Sequence, residues 1–405
     1  MIKKSYLENF YYFLLLFYIF FNLIFNVQSY AIWGLTIVLV VIETISHKKM
    51  KFGIDKIPFI LLTLIMLVGS FVSPRTGEAL KFTVSFACLV LMFIIQSNRT
   101  VNEKYIFKLI LIFSGVHVFA TLFYQLFPSV WMKILPLFLK GNDLSNNIYV
   151  FNVQHINCGL SPVQSANAMY ITAFIVCVFS RALQSKKIGM WFLTIIGFIA
   201  LMLTSKRGVM LSVVISSVIT YLIYNKKVNK GDILPIIKMI ILGIIIISIG
   251  YIIVKNYFPD ALRIINRFTN QKDITTGRSD IYSTLYDNYK KGNVFIGNGL
   301  FSSRNILYST YGEINDAHNI YLQVLVELGI PGILCFATIV FVSFSKIFKT
   351  KLNKNSLLKI MGIFYIFVFY IYGVSGNGLF DLTIAPMWLL MMSFVFNNIK
   401  EKEVG

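Results

Sequence analysis

Apolar runs long enough to cross a bilayer recur along this chain, separated by polar stretches, and that spacing predicts a succession of membrane helices. About twelve spans are expected on the criterion of roughly 20 apolar residues each. They are Phe10–Val27, Tyr30–Ser46, Lys56–Ser73, Ala79–Gln96, Lys104–Phe127, Gln164–Leu183, Ile188–Thr204, Arg207–Asn225, Leu234–Lys255, His318–Phe348, Ser356–Val374 and Phe380–Asn397. The opening "MIKKSYLENFYYFLLLFYIFF" has a basic start but no small-residue cleavage site, and a second span follows closely. It is therefore expected to stay as an uncleaved first helix.

Two connections are long. Pro128–Val163 is mostly polar and turn-rich. Asn256–Ala317, about 60 residues, is too long for an idle connection and is expected to fold. Inside it, "SDIYSTLYDNYKKG" spaces Ile281, Leu285 and Tyr289 four apart, with Tyr282 and Tyr286 alongside. That spacing predicts one amphipathic helix near the membrane surface, with Ser279 as N-cap and Gly292 as stop. The pentapeptide "GNGLF" occurs at Gly297–Phe301 and again at Gly376–Phe380. Turn-forming Gly and Asn account for it without invoking a repeat.

Composition supports the membrane reading and charge adds a direction to it. The chain has 405 residues, 57% hydrophobic and 13% charged, well away from the balance of a soluble domain. The net charge of +20 would suggest nucleic acid in a soluble protein. Here roughly 22 of the 37 Lys and Arg fall in alternate connections, such as "HKKMKFGIDK", "NKKVNKGD" and "KIFKTKLNKNSLLK", whereas the other short loops hold about five. Basic connections mark the cytoplasmic side, so both termini are expected inside and no nucleic-acid partner is inferred. The whole of 1–405 reads as one all-α polytopic membrane domain, with 128–163 and 256–317 as external segments. The four cysteines, Cys88, Cys158, Cys177 and Cys335, have neither paired nor metal-type spacing.

Candidate chemistry collects on the external side. No "DxD", "GxxxxGK[ST]" or "HExxH" occurs, so no metal-bound nucleotide sugar, ATP or zinc site is expected. In "LMLTSKRGVMLS", Lys206 and Arg207 sit where two spans meet with almost no loop, against the charge rule of the other short external connections. They either snorkel to lipid headgroups or hold an anion at the outer face. Arg278 in "TTGRSD" precedes the expected start of the amphipathic helix, where free N–H groups and the helix dipole favour an anion. The alternative is pairing with Asp280 or Asp273 on a solvated loop. In "EINDAHNIYLQVLVELGIPG", Asp316 is a natural N-cap, which would put His318 in the first turn of a span. The positive helix end disfavours imidazolium, so His318 is expected neutral and able to accept a proton; the alternative is a histidine simply hydrogen-bonded at the interface. Glu327 and the Gly–Pro–Gly break that follows lie within the same span. Such a break survives in a membrane only where protein or water satisfies the freed backbone groups. Asn167 lies about a turn inside its span and needs a partner, a neighbouring helix or a ligand hydroxyl.

Taken in order, "LTSKRGVML", a large external loop with "TGR" and "FIGNGL", and "AHNIYLQVLVELGIPG" resemble the O-antigen ligase and O-antigen polymerase family of bacterial envelope glycan assembly. The resemblance is strongest from Asn167 to Gly332. It implies a helical membrane glycosyltransferase of GT-C-like fold that performs metal-independent, inverting transfer from a polyprenyl-pyrophosphate-linked sugar, without a cofactor. The family's functional Arg, Arg and His fall on Arg207, Arg278 and His318. The family often has Ser before the first Arg, where this chain has Lys206 as a second cation. Under that resemblance, Arg207, Arg278 and Lys206 would bind the pyrophosphate and His318 would take the acceptor proton. Asn167, Asn319 and Asp316 are candidates for orienting sugar or phosphate.

Its Tyr-rich external loop favours a polymerase joining repeat units of a capsular, O-antigen or exopolysaccharide chain over a ligase moving the finished glycan. The expected setting is the bacterial cytoplasmic membrane, with a flippase and a chain-length regulator as working partners. A lipid-linked oligosaccharide flippase is the contrasting reading. It predicts charges along a central pathway and symmetry between the halves, and neither is evident.

Overall fold

A computed structural model describes residues 4–25, 29–46, 52–229, 277–312 and 316–397, with 248, 252, 255 and 256 besides. The described residues form fifteen α-helices: α1 (Lys4–Phe25), α2 (Ser29–Ser46), α3 (Ile57–Val72), α4 (Thr76–Gln96), α5 (Glu103–Leu126), α6 (Pro128–Ile134), α7 (Gly141–Gln154), α8 (Gln164–Ser185), α9 (Ile188–Leu203), α10 (Arg207–Val228), α11 (Arg278–Lys291), α12 (Ser302–Tyr311), α13 (Ile320–Lys349), α14 (Leu357–Tyr372) and α15 (Ala385–Phe396). Seven of them, α1, α3, α4, α5, α8, α10 and α13, are long and apolar enough to cross a membrane, and α2, α9, α14 and α15 are shorter apolar helices. These eleven coincide with eleven of the expected spans. The twelfth, Leu234–Lys255, lies almost wholly outside the described residues.

Burial separates the helices into a centre and a wall. All twelve residues of α15 are buried, and so are nearly all of α14 and most of α8. A helix that is apolar all round has no face to spare for water and belongs in the middle. The surrounding helices keep large side chains on the outside, with Phe341 72% exposed, Phe71 67% and Phe192 62%. Faces of that kind are stable against lipid, where a soluble protein would aggregate.

The connection 128–163 corrects the expectation of a turn-rich loop. It holds α6 and α7, because Trp131, Leu135 and Leu139 bury against Tyr124 and Leu160 and give the segment a core of its own. Between 278 and 311 there are two helices where one was expected. Leu285 and Tyr289 of α11, Leu307 of α12, Ala317 just before α13 and Val326 within it form a separate apolar cluster that fastens both helices to α13. The predicted stop at Gly292 is present, but the N-cap is Gly277 (φ 78°), so α11 begins two residues earlier than Ser279 as cap would allow. Gly277 reaches the left-handed conformation without a Cβ clash.

The break expected in α13 is there. Gly329 has φ 66° and ψ −162°, and Pro331 follows inside the helix. The carbonyls it frees are taken up by the loop 293–301: Asn298 N–H donates to Val326 O (2.9 Å), Gly299 N–H to Glu327 O (3.1 Å), and Ile330 N–H to Val294 O (3.1 Å). Glu327, fully buried, accepts from Phe301 N (2.8 Å), from Gln323 Nε2 (3.1 Å) and from the Ser303 hydroxyl. The contact is close enough that a Cβ at Gly297 would lie 2.6 Å from Glu327 O. Both copies of "GNGLF" end up at this end of the bundle, with Phe301 and Phe380 each packed on Phe82.

The opposite end, where the basic connections lie, is tied by matched charges. Arg99 Nε donates to Glu43 Oε2 (2.7 Å) in a buried pair, and Lys346 meets Asp55 at 2.6 Å. Lys227 Nζ donates to the carbonyls of Ile347 (3.0 Å), Phe348 (2.8 Å) and Thr350 (2.6 Å), closing the C-terminal end of α13.

Candidate functional site

Three separated pieces of chain meet at the end of the bundle remote from those basic connections. The first is the tight turn between α9 and α10. Thr204 closes α9, Ser205 turns in the left-handed region (φ 55°), Lys206 follows and Arg207 opens α10. The loop 157–164 lies over this turn, with Asn157 N–H donating to Leu203 O (3.1 Å) and Gln164 Nε2 to Thr204 O. A two-cation turn with so little chain has few conformations open to it.

The second piece is the start of α11, with Arg278 at its first position and half-buried. The third is the approach to α13, and here the capping expectation is corrected. Asn319, not Asp316, caps α13, its side chain accepting from Leu322 N (3.0 Å). His318 therefore stands before the helix, not in its first turn, with φ 50°, a conformation uncommon for residues other than glycine. Asp316 is turned away to Arg304, whose Nε donates to Asp316 Oδ1 (2.7 Å) while its Nη1 donates to Glu78 Oε1 (2.6 Å). An Asp held in an ion pair is not free to cap, and the Asn319 amide oxygen is in register for Leu322 N.

The C-terminal end of α14 holds the three pieces together. Ile320 N–H donates to Gly373 O (2.8 Å), fixing the start of α13. Gly208 in the first turn of α10 packs so close to Ser375 and Tyr372 that a Cβ there would lie 2.2 Å from Ser375 Oγ. The Tyr282 hydroxyl, one turn into α11, reaches His318 O (3.2 Å) and Val374 O (3.4 Å). Tyr282 and the 372–375 turn were not singled out by sequence. Their signal was available: a Tyr one turn after Arg278, and "YGVSG" as a polar interruption between two apolar spans.

The electrostatics follow from this convergence. Burial, then the charges of Lys206 and Arg278, push the His318 imidazole down to about 4, with Asp316 opposing. His318 is thus neutral at ordinary pH, as expected, but the cause is desolvation and two cations rather than the helix dipole. Lys206 is itself lowered, by burial and then by Arg278. Like charges facing each other in a half-buried place are costly unless an anion joins them. Arg207, adjacent to Lys206 in the same turn, and the N-terminal N–H groups of α10 and α11 add to the positive potential. An anion with several oxygens and a neutral proton acceptor beside it is what the arrangement suits.

Asn167 does not reach this group. It is fully buried in α8, where its Nδ2 donates to Thr121 Oγ1 (3.0 Å) and lies 3.5 Å from Asn157 O. It fastens the 157–164 loop to α5 and α8 and supports the Lys206 turn from below.

The fold and site together define a multi-pass, all-helical membrane protein with a cation-and-histidine site at one end of its bundle. Residues 192–337 match the family model described as O-antigen ligase, a similarity in line with the motifs of this segment. The matched segment runs from α9 into α13 and contains Lys206, Arg207, Arg278 and His318. No curated protein matches the chain.

Proposed function

We propose that this chain is a polymerase that joins polyprenyl-pyrophosphate-linked oligosaccharide repeat units at the outer face of a bacterial cytoplasmic membrane. The observation that carries this reading is the approach of Lys206 and Arg278 to a neutral His318. Outside the cytoplasm no nucleotide sugar is at hand, so the donor must bring its own leaving group, and a lipid pyrophosphate fits the cations. In the reaction, the acceptor hydroxyl attacks the anomeric carbon and its proton passes to the His318 ring. The bond from the anomeric carbon to the pyrophosphate oxygen breaks, and its electron pair stays on the pyrophosphate. Arg207, Arg278 and Lys206 stabilise the charge that develops there. Attack opposite the leaving group inverts the configuration and calls for no metal, because the cations carry the electrostatic work.

The family description as a ligase favours a second reading, transfer of the finished glycan to another acceptor, with the same donor chemistry and the same residues. The length distribution of lipid-linked glycan in cells carrying His318→Ala, at normal protein level, separates the readings. Single units that reach the outer face and are never joined support the polymerase. Full-length chains left on the carrier support the ligase. Units trapped on the inner face would indicate a flippase, and an unchanged ladder would remove His318 from the chemistry.

A further inference from the structure

A cleft of about 400 Å³, within the size range of small-molecule sites, has Asp316, two residues before His318, in its lining. It is lined by the Glu78–Arg304–Asp316 network, by Asn377, Asp381 and Thr383, and by Phe82. Lys81 stands at the edge, with its ammonium 4.7 Å from the centre of the Tyr30 ring. Asp381 is held in place by accepting from Thr383 N (2.8 Å) and Thr383 Oγ1 (2.6 Å).

The chemistry of this cleft differs from that of the cation group. Glu78, Asp316 and Asp381 outweigh Lys81 and Arg304, so a second pyrophosphate is unwelcome. Carboxylates, an amide and a guanidinium around aromatic edges suit a ligand that both donates and accepts hydrogen bonds and has apolar C–H faces. A lipid tail would leave those polar groups without partners. Position supplies the rest. Asp316 forms part of the cleft wall, and only Ala317 separates it from His318, so a group bound in the cleft lies at the approach to the imidazole.

We propose that this cleft is the acceptor-sugar subsite, taking an uncharged saccharide of the accepting glycan and presenting one of its hydroxyls toward His318. The proposal rests on the glycosyl-transfer reading above and divides that site into a cationic donor half and a mixed-charge acceptor half. Each half then has its own ligand and its own binding signature.

Two probes separate them on the full chain in lipid nanodiscs. One is the oligosaccharide released by mild acid from lipid-linked glycan of cells lacking this chain, which carries no pyrophosphate. The other is polyprenyl pyrophosphate without sugar. Asn377→Ala and Lys81→Ala are expected to weaken oligosaccharide binding about tenfold, as the loss of one or two hydrogen bonds does, and to leave polyprenyl pyrophosphate binding unchanged, which also shows that they fold. Arg278→Ala is expected to do the reverse. Oligosaccharide binding that both cleft variants leave intact would overturn the acceptor subsite while the donor reading stood. Polyprenyl pyrophosphate binding untouched by Arg278→Ala would instead overturn the donor reading.

Discussion

His117 sits in the middle of α5 with no exposed surface, its Nε2 2.9 Å from the Phe20 carbonyl and its ring centre 4.5 Å from that of Tyr170 and 5.6 Å from that of Phe21. His318 sits before α13, half-buried, its carbonyl accepting from Tyr282 and its ring facing the charges of Lys206 and Arg278. Both imidazoles are drawn away from water, but His117 is walled in by aromatic rings and a backbone carbonyl, so no substrate can meet it. His318 keeps an open side, and its neighbours are cations that call for an anionic ligand. A buried histidine in a membrane bundle is therefore not by itself a site. What distinguishes one is the pair of cations beside it and an open side.

The comparison is broken first by exchanging the two residues' fates. His318→Ala should lower glycan transfer by about 10²–10⁴-fold, the usual contribution of a general base, whereas His117→Phe should leave turnover per folded molecule unchanged. Transfer rates of the purified variants check this, and comparable losses in both would erase the distinction. Arg278→Ala should cost about 10²–10³-fold through lost stabilisation of the leaving pyrophosphate. Arg278→Lys should recover only part of it, because an ammonium lacks the guanidinium fork; single-turnover rates on lipid-linked donor distinguish the two. Glu327→Leu tests the clamp that holds the 293–301 loop on the break of α13. It strands the Phe301 N–H and the Ser303 hydroxyl, which should cost about 1–3 kcal/mol, read as a lower Tm. The smallest effect belongs to Tyr282→Phe, which removes one hydroxyl from His318 O and Val374 O and should slow transfer by a few-fold, leaving polyprenyl pyrophosphate affinity in place.

Sequence carried the spans well because an apolar run of that length has few other uses, and the described helices start and stop within a few residues of the expected ends. The approach of Lys206, Arg278 and His318 from distant parts of the chain joins three candidates that sequence had marked, since each interrupts a local rule of charge or polarity. Capping was misread at two places. Asp316 and Ser279 have the right side chains for an N-cap, but tertiary contacts decide: Arg304 claims Asp316, and a left-handed Gly277 starts α11 earlier. The helices of 128–163 were hidden because their apolar runs are too short for a span and their burial depends on Tyr124 of α5. Asn167 was open to a ligand or, more commonly, a helix contact, and Thr121 of α5 is the partner it meets. The hub at 372–375 was marked in sequence only as the polar interruption "YGVSG"; its partners are largely backbone contacts, which no side-chain pattern encodes.

On the proposed reading, His318 works as a neutral base kept so by burial and by the cations beside it. The most direct test is the pH dependence of kcat/KM, which reports the free protein, for the native chain and for Lys206→Met across about pH 3.5 to 8. A base acts when deprotonated, so the rate should hold on a plateau and fall only in acid, with a midpoint near the depressed value of about 4. Removing the Lys206 charge should move that midpoint upward, toward the ordinary histidine range. A midpoint that stays where it was in Lys206→Met, or a profile with no acid limb at all, would contradict the account.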